Sequence, residues 1–234
     1  MQPAVTEKIR ADGFYNRYMK RVTDLILALI FAVVLLPFYL IVAVAVVADS
    51  GFPIFYRAQR GGYHNRPFRI MKFRSMVKDA DRIGGGTTAL NDARITRVGN
   101  FLRKTKLDET PQLFNIIRGE MSFIGPRPEL LRYTERYRGE EELIFRVRPG
   151  ITDYSSIEFI NLDEIVGVEN ADEMYEKHVL QRKNELRIRY AKEVSFSTDC
   201  KLLFITVWDV LKKAIRFVFG KKEAKDGIHQ AEEL

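Results

Sequence analysis

Cysteine is nearly absent. Cys200 stands alone in 234 residues, which excludes an internal disulfide and any multi-cysteine metal site and fits a reducing compartment. Histidine is almost as scarce: His64, His178 and His229 share no ligand spacing, and each reads as a surface or packing residue. There is no internal repeat, no Gly-x-x-x-x-Gly-Lys-Ser/Thr phosphate loop and no Gly-x-Gly-x-x-Gly turn after a strand, so kinase, ATPase and dinucleotide readings lack support. Acidic residues are sparse in one region, where Gly51 to Lys106 holds thirteen Lys or Arg against three Asp within a net charge of +7. That imbalance implies an anionic partner: a membrane surface, a nucleotide or a nucleic acid. Aromatics other than Phe73 scarcely interleave with these cations, which argues against base stacking, and no nucleic-acid partner is expected.

Present in excess is uncharged apolar sequence. Leu25 to Ala48 is 24 residues without a charge. At about 1.5 Å per residue such a helix crosses a hydrocarbon layer of about 30 Å. A signal peptide is disfavoured because the run is long and follows 24 residues of mixed charge. Two features oppose a simple span: Pro37 lies mid-run, and basic residues flank both ends, Lys20 and Arg21 before it and Arg57, Arg60, Arg66 and Arg69 after it. By the positive-inside rule both flanks belong on the cytoplasmic side, which a segment broken at Pro37 and entering and leaving by one face satisfies. Asp24 lies one turn from Arg21 and either pairs with it or stays solvated. Residues 1–19 are expected to form an arm or interfacial helix with Phe14, Tyr15 and Tyr18 at its apolar edge.

The densest chemistry lies in Thr105 to Pro128, TKLDETPQLFNIIRGEMSFIGPRP. Pro111 restricts a helix through Gln112 to Ile117 to a start near Asp108. There, helix-terminal amides favour ionised carboxylates, so Asp108 and Glu109 are expected to be charged and held in place. Gly119 is the natural stop. Arg94, Arg97, Arg103, Lys104 and Lys106 precede the pair, and Arg127 follows it between Pro126 and Pro128, which stiffen the backbone. Carboxylates ringed by cations suit a phosphorylated substrate, although a lone Asp-Glu pair is more often a helix cap with a salt-bridged neighbour.

Elsewhere, Gly51 to Met76 reads as loop and strands with a turn at Gly61-Gly62, and a strand period of two places Phe68, Ile70, Lys72 and Arg74 on one face. Gly84 to Thr88 is a lid candidate. Glu129 to Arg148 reads as one amphipathic helix ended by Pro149-Gly150, and Asp172 to Tyr190 as charged, solvated helices. A last helix, Asp199 to Phe219, capped by Ser197 or Thr198, carries a polar stripe of Thr206, Asp209, Lys213 and Arg216 opposite an apolar face with Phe204 and Trp208. It lies either in the membrane interface or on the core. The tail from Lys221 to Leu234 is expected to be disordered.

Three segments in order, KFRSM (Lys72 to Met76), DARITRVGNFLRK (Asp92 to Lys104) and LDETPQLFNIIRGEMSFIGPRP (Leu107 to Pro128), resemble the bacterial sugar transferases. More narrowly they resemble the monotopic phosphoglycosyl transferases, which load a polyprenyl phosphate with a sugar phosphate. The resemblance runs from about Lys20 to RPGIT (Arg148 to Thr152) and more weakly onward; Asp153 stands where the family more often has Gly, a departure that bears on sugar recognition. It implies an α/β, mostly helical, membrane-associated catalytic domain over 51–220, with interfacial amphipathic helices and a re-entrant helix over 20–50, on the cytoplasmic face of a bacterial inner membrane.

The implied reaction moves a sugar 1-phosphate from a UDP-sugar to undecaprenyl phosphate and releases UMP, as in glycoconjugate and exopolysaccharide biosynthesis. Chemistry then suggests roles: Asp108 as nucleophile, Glu109 as a Mg²⁺ ligand, and Arg103 and Arg127 on phosphate oxygens. Lys72, Arg74 and Arg94 are further phosphate contacts, with Asp92 orienting one of them. Two rivals stay open: direct transfer with Asp108 as general base, and a non-catalytic, membrane-tethered basic module. Anionic lipids are expected partners, and a homodimer is compatible with the sequence.

Overall fold

The apolar run does not form one helix. Helix α1 (Lys20–Val34) stops at Leu35, and α2 (Leu36–Ser50) carries Pro37 in its first turn, where a missing amide costs no intrahelical bond. The break falls two residues before the proline expected to mark it. In the computed structural model, which describes residues 10–83, 86–88, 92–167 and 170–231, the pair Tyr15–Val34 and Leu36–Ser50 is bent by 61°. Among the described residues no single helix is long and apolar enough to cross a membrane, and this pair meets that test only jointly.

One side of the bent pair belongs to the core. Ala28 packs with Ile70, Leu113 and Ile116, and Tyr39, Val42 and Val46 pack with Phe73 and Leu102. The other side, with Val33, Val34, Leu36, Leu40, Ile41 and Val44, is exposed. Both ends are fastened to the same body. At the start, Lys20 pairs with Asp199, and Arg21 donates to the carbonyls of Ile116 and Ile117. At the end, Asp49 accepts from the Val98 amide at 3.0 Å, and Arg74 donates to the Ser50 and Gly51 carbonyls. Arg21 and Asp24 do not pair: Arg21 covers the last carbonyls of a helix, and Asp24 accepts from the Phe123 amide at 3.3 Å. The arm before α1 is likewise docked, with Tyr15 donating to Asp199 at 2.7 Å, while Phe14 and Tyr18 stay exposed. Residues 1–9 of that arm lie outside the described residues.

Strands β1 (Phe55–Arg60) and β2 (Phe68–Phe73) pair antiparallel, with Phe55 opposite Phe73 and Arg60 opposite Phe68. After α3 (Ala80–Ile83), α4 (Arg97–Lys104) is capped by Thr96, whose hydroxyl accepts from the Gly99 amide at 3.0 Å. A 3₁₀ turn over Leu107–Glu109 leads to α5 (Gln112–Arg118), which stops at Gly119 in the left-handed conformation, as expected. Strand β3 (Ser122–Ile124) lies parallel to β4 (Gly150–Thr152). A Cβ on Gly150 would stand 2.1 Å from the Gly125 nitrogen, so the close approach beside Arg127 requires glycine.

Glu129 to Arg148 is not one helix. Gly139, at φ 61°, separates α6 (Leu131–Thr134) from a 3₁₀ stretch over Gly139–Arg146. The chain continues through α7 (Tyr154–Glu158), α8 (Leu162–Val166), α9 (Ala171–His178) and α10 (Leu180–Glu193). Helix α10 is no solvated support: Lys183, Asn184, Leu186, Arg187 and Tyr190 are buried. Its charges are accommodated by pairing, with Arg187 bonded to Glu129 at 3.0 Å. Helix α11 (Phe196–Ala231) starts before Asp199 because Ser195 caps it, accepting from the Thr198 amide at 3.2 Å. Helical backbone runs past Lys221 to Ala231, through Lys, Glu and Ala residues of good helix propensity. The described residues are therefore mostly helical, with two small two-stranded sheets among them.

Candidate active site

The turn carrying the acidic pair is set by its neighbours. Lys106 takes φ 60° and reverses the chain, and Pro111 keeps α5 from extending back, so Asp108 lies in a 3₁₀ turn and does not cap a helix. Both carboxylates are buried at the edge of a cavity of about 1270 Å³. Lys72, Arg94, Arg103 and Arg127 line the same cavity, while Phe31, Leu35, Leu113 and Phe123 give it an apolar end at the bend between α1 and α2. Thr206, Asp209 and Lys213 of α11 also line it, so the polar stripe faces the cleft, with Phe204, Trp208, Leu211 and Ile215 exposed.

Glu109 is gripped from two directions. Arg127 forms a fork on its two oxygens, with Nη1 to Oε2 at 2.9 Å, and Lys72 donates to Oε1 at 2.8 Å. Arg127 also donates to the Ile151 carbonyl at 2.9 Å. Its own amide is held by Asp153, a fully buried residue that caps α7 by accepting from the Ser156 amide at 2.8 Å. Asp153 thus positions Arg127. No described residue hydrogen-bonds to the Asp108 carboxylate, although Lys72, Arg103 and Lys106 act on it through space.

The two acids are shifted in opposite directions by their surroundings. Burial, then the adjacent Glu109, pushes the Asp108 carboxyl above the usual carboxylate range, against the pull of Lys72, Arg103 and Lys106. Burial also opposes ionisation of Glu109, but Arg127, Lys72 and Lys106 outweigh it and hold that group well below its usual range. Lys72 is lowered by burial against the pull of Glu109.

Of the remaining expected phosphate contacts, Arg94 is held by Asp92 through Nη2 to Oδ2 at 2.6 Å and by the Ala80 carbonyl at 3.1 Å. Arg74 parts company with Lys72: β2 ends at Phe73, the strand period lapses, and the Arg74 guanidinium turns to the C-terminal carbonyls of α2. In the lid candidate, Gly84 and Gly85 lie outside the described residues, while the amides of Gly86 and Thr87 donate to Asp172 at 3.2 and 2.7 Å. Sequence reasoning passed over Lys183, a cleft residue supplied by α10, and Tyr39, whose hydroxyl reaches the Thr110 carbonyl at 2.8 Å. Neither carries a local signal, since both meet the site only through folding.

The donor set for a divalent cation is thin. Among the described residues no cluster of three His, Cys, Asp or Glu could hold a metal. Glu109 Oε1 takes two donors and Oε2 one, which leaves a single acceptor position beside Asp108. That suits Mg²⁺ only as an ion shared with substrate phosphates.

A carboxylate pair bracketed by fixed cations in an open cleft defines a centre suited to phosphoryl chemistry. The chain belongs to the bacterial sugar transferase family, whose sequence profile matches residues 15–213. It is 36% identical over 197 residues to a UDP-glucose:undecaprenyl-phosphate glucose-1-phosphate transferase of Escherichia coli (strain K12), covering 82% of this chain and 40% of that protein. It is also 36% identical over 213 residues to a UDP-galactose-lipid carrier transferase of Erwinia amylovora, covering 85% and 41%. An uncharacterized sugar transferase of Bacillus subtilis (strain 168), EpsL, is 33% identical over 194 residues, covering 82% and 87%. The chain thus spans about 40% of the length of the first two relatives and most of the third.

Proposed function

We propose that this chain transfers a sugar 1-phosphate from a UDP-sugar to a polyprenyl phosphate and releases UMP, with Asp108 as nucleophile. The observation that carries this is the buried Asp108 carboxylate, on the cleft and without a hydrogen bond from any described residue, beside a Glu109 locked by Lys72 and Arg127. An Asp108 oxygen attacks the phosphorus bearing the sugar; the bond to the UMP oxygen breaks, and an acyl phosphate forms. A polyprenyl phosphate oxygen then attacks the same phosphorus and returns Asp108 to its starting state. Arg127 keeps unused N–H donors beyond its bonds to Glu109 and Ile151, and Arg103 stands beside Asp108; both are suited to neutralise the diphosphate. Mg²⁺, where bound, would be held by Glu109 with the substrate phosphates and would supply further neutralisation.

The lipid acceptor fits the architecture. The apolar end of the cleft opens at the bend between α1 and α2, and both ends of the bent pair are tied to one body while its outer side is apolar and exposed. We read the pair as a re-entrant anchor, with the apolar face of α11 in the interface of anionic lipids, on the cytoplasmic side of a bacterial inner membrane.

The upward shift of Asp108 also favours a second reading, direct transfer with Asp108 as general base. Incubation of the full chain with UDP-glucose, UDP-galactose or their N-acetylated counterparts, without lipid acceptor, separates the two. An intact-protein mass increased by one phosphosugar is expected. Absence of that adduct under conditions that support turnover overturns the covalent route, and absence of both adduct and turnover with every donor overturns the transferase reading.

A further inference from the structure

On the wall of the cleft, α10 presents an ammonium group without an anion. Lys183 is only 6% exposed, lines the cavity, and receives no hydrogen bond acceptor or ion-pair partner from any described residue. Its Nζ stands 4.9 Å from the Tyr175 ring centroid and 5.5 Å from that of Phe159. The rings offer a cation some stabilisation but no hydrogen bond. The carboxylate that would neutralise it is occupied elsewhere: Glu129 takes Arg187 at 3.0 Å, the Leu130 amide at 2.9 Å and the Tyr175 hydroxyl. Asp153 is taken by Ser155, Ser156 and the Arg127 amide. A buried ammonium is tolerated when something pairs with it, and here the open side is the cleft.

We propose that Lys183 is a substrate-binding residue that contacts the nucleotide phosphate of the donor, the phosphate that leaves as UMP. The assignment rests on the UDP-sugar reading above and adds to it the second cation of the nucleotide side. Arg127 links the two regions, since its charge bears both on Asp108 and on Lys183. A diphosphate with its sugar-bearing phosphorus at Asp108 and its middle on Arg127 would carry its departing phosphate toward Lys183. Neutral sugars such as glucose and galactose lack the negative charge that this position requires.

The groups facing Lys183 are Arg187 on its own helix, Glu129 and Arg127 from the loop after β3, Asp153 before α7, and Tyr175 on α9. Burial, followed by Arg187 and Arg127, lowers the free Lys183 ammonium to about 7, against Glu129 and Asp153. A bound phosphate dianion favours the charged form, so binding takes up a proton above that value and weakens as pH rises.

The experiment is UMP and uridine binding to the full chain in detergent with Mg²⁺, between pH 7 and about pH 8.5, where the UMP phosphate stays doubly ionised and the uracil ring stays largely neutral. For the wild type, the Kd for UMP should rise at least tenfold across that range, while uridine binding stays level. Lys183→Met should bind UMP at least tenfold more weakly at pH 7, with a flat pH profile and unchanged uridine affinity. Lys183→Arg, charged throughout, should also give a flat profile, and serves if the methionine variant fails to fold. Wild type and both variants with the same UMP affinity and pH profile would overturn the assignment. So would equal losses for UMP and uridine in Lys183→Met. A wild type that binds no UMP would overturn the UDP-sugar reading itself, and this assignment with it.

Discussion

The Tyr39 hydroxyl on α2 donates to the Thr110 backbone carbonyl at 2.8 Å, which fastens the second arm of the bent helix pair to the turn carrying Asp108 and Glu109. Tyr39 is buried between Phe73 and Phe114, so the ring holds its place when the hydroxyl is removed. Tyr39→Phe should therefore keep the fold and lose about 1 kcal/mol of restraint on the turn. The expected result is a several-fold lower kcat with little change in KM for the UDP-sugar. An unchanged kcat would mean that the turn is held by its own bonds alone.

Asp108→Asn should abolish turnover and stabilise the protein. Burial and Glu109 raise the Asp108 carboxyl, so the folded state prefers it protonated. The stability associated with that proton is complete below the ordinary carboxylate pKa and is lost as pH rises through the raised value. At neutral pH the wild type bears that cost and the asparagine variant does not, and near pH 3 the two converge. Thermal melts should show a higher Tm for the variant at pH 7, by ~2–4 °C for each kcal/mol recovered. Turnover above a trace in this variant would rule out covalent catalysis by Asp108.

Glu109 is held ionised by Arg127 and Lys72, and Glu109→Gln leaves both cations facing a neutral amide. The fold should lose about 3 kcal/mol, measured by denaturant unfolding, in the manner of a broken buried pair. If Glu109 also bears Mg²⁺, the metal dependence of the rate weakens in parallel. A Mg²⁺ titration identical to that of the wild type would remove the metal from Glu109.

Replacing Arg127 or Arg103 by Lys keeps the charge and loses the planar fork. For Arg127 the fork is visible on Glu109; for Arg103 the motive is its position beside Asp108. Each variant should lose at least tenfold in kcat/KM, ~1.4 kcal/mol or more. Near-normal kinetics in both would shift the phosphate site toward Lys72 and Lys183.

Topology is tested with single cysteines at Thr6 and Tyr63 in a Cys200→Ser background. A re-entrant pair places both on one side, so an impermeant maleimide should label them only after the cytoplasmic face is opened. Labelling of Thr6→Cys from outside intact cells would establish a span and defeat the anchor reading. Pro37→Ala should move the population toward a straight helix, because it restores the amide whose absence follows the break at Leu35.

Local rules made much of this protein legible before folding. Proline and glycine act on their own backbone, so the interruption near Pro37, the stop at Gly119 and the hairpin turning near Gly61-Gly62 could be read from sequence. The clustering of Asp108, Glu109, Arg103 and Arg127 within one short stretch was equally visible. What the tertiary structure decided is which cation meets which acid. Arg74 follows Lys72 by two residues, yet the strand ends between them and only Lys72 reaches Glu109. Gly139 split a helix that the apolar spacing alone supported, because a left-handed residue leaves no amphipathic trace. Helix α10 looked solvated from its charges, but Arg187 finds Glu129 some sixty residues earlier in the chain, and that pairing leaves Lys183 facing the cleft. Periodicity and propensity extend over a few residues, whereas the charge state of Asp108 and the partners of Lys183 depend on burial and on groups brought together from distant segments.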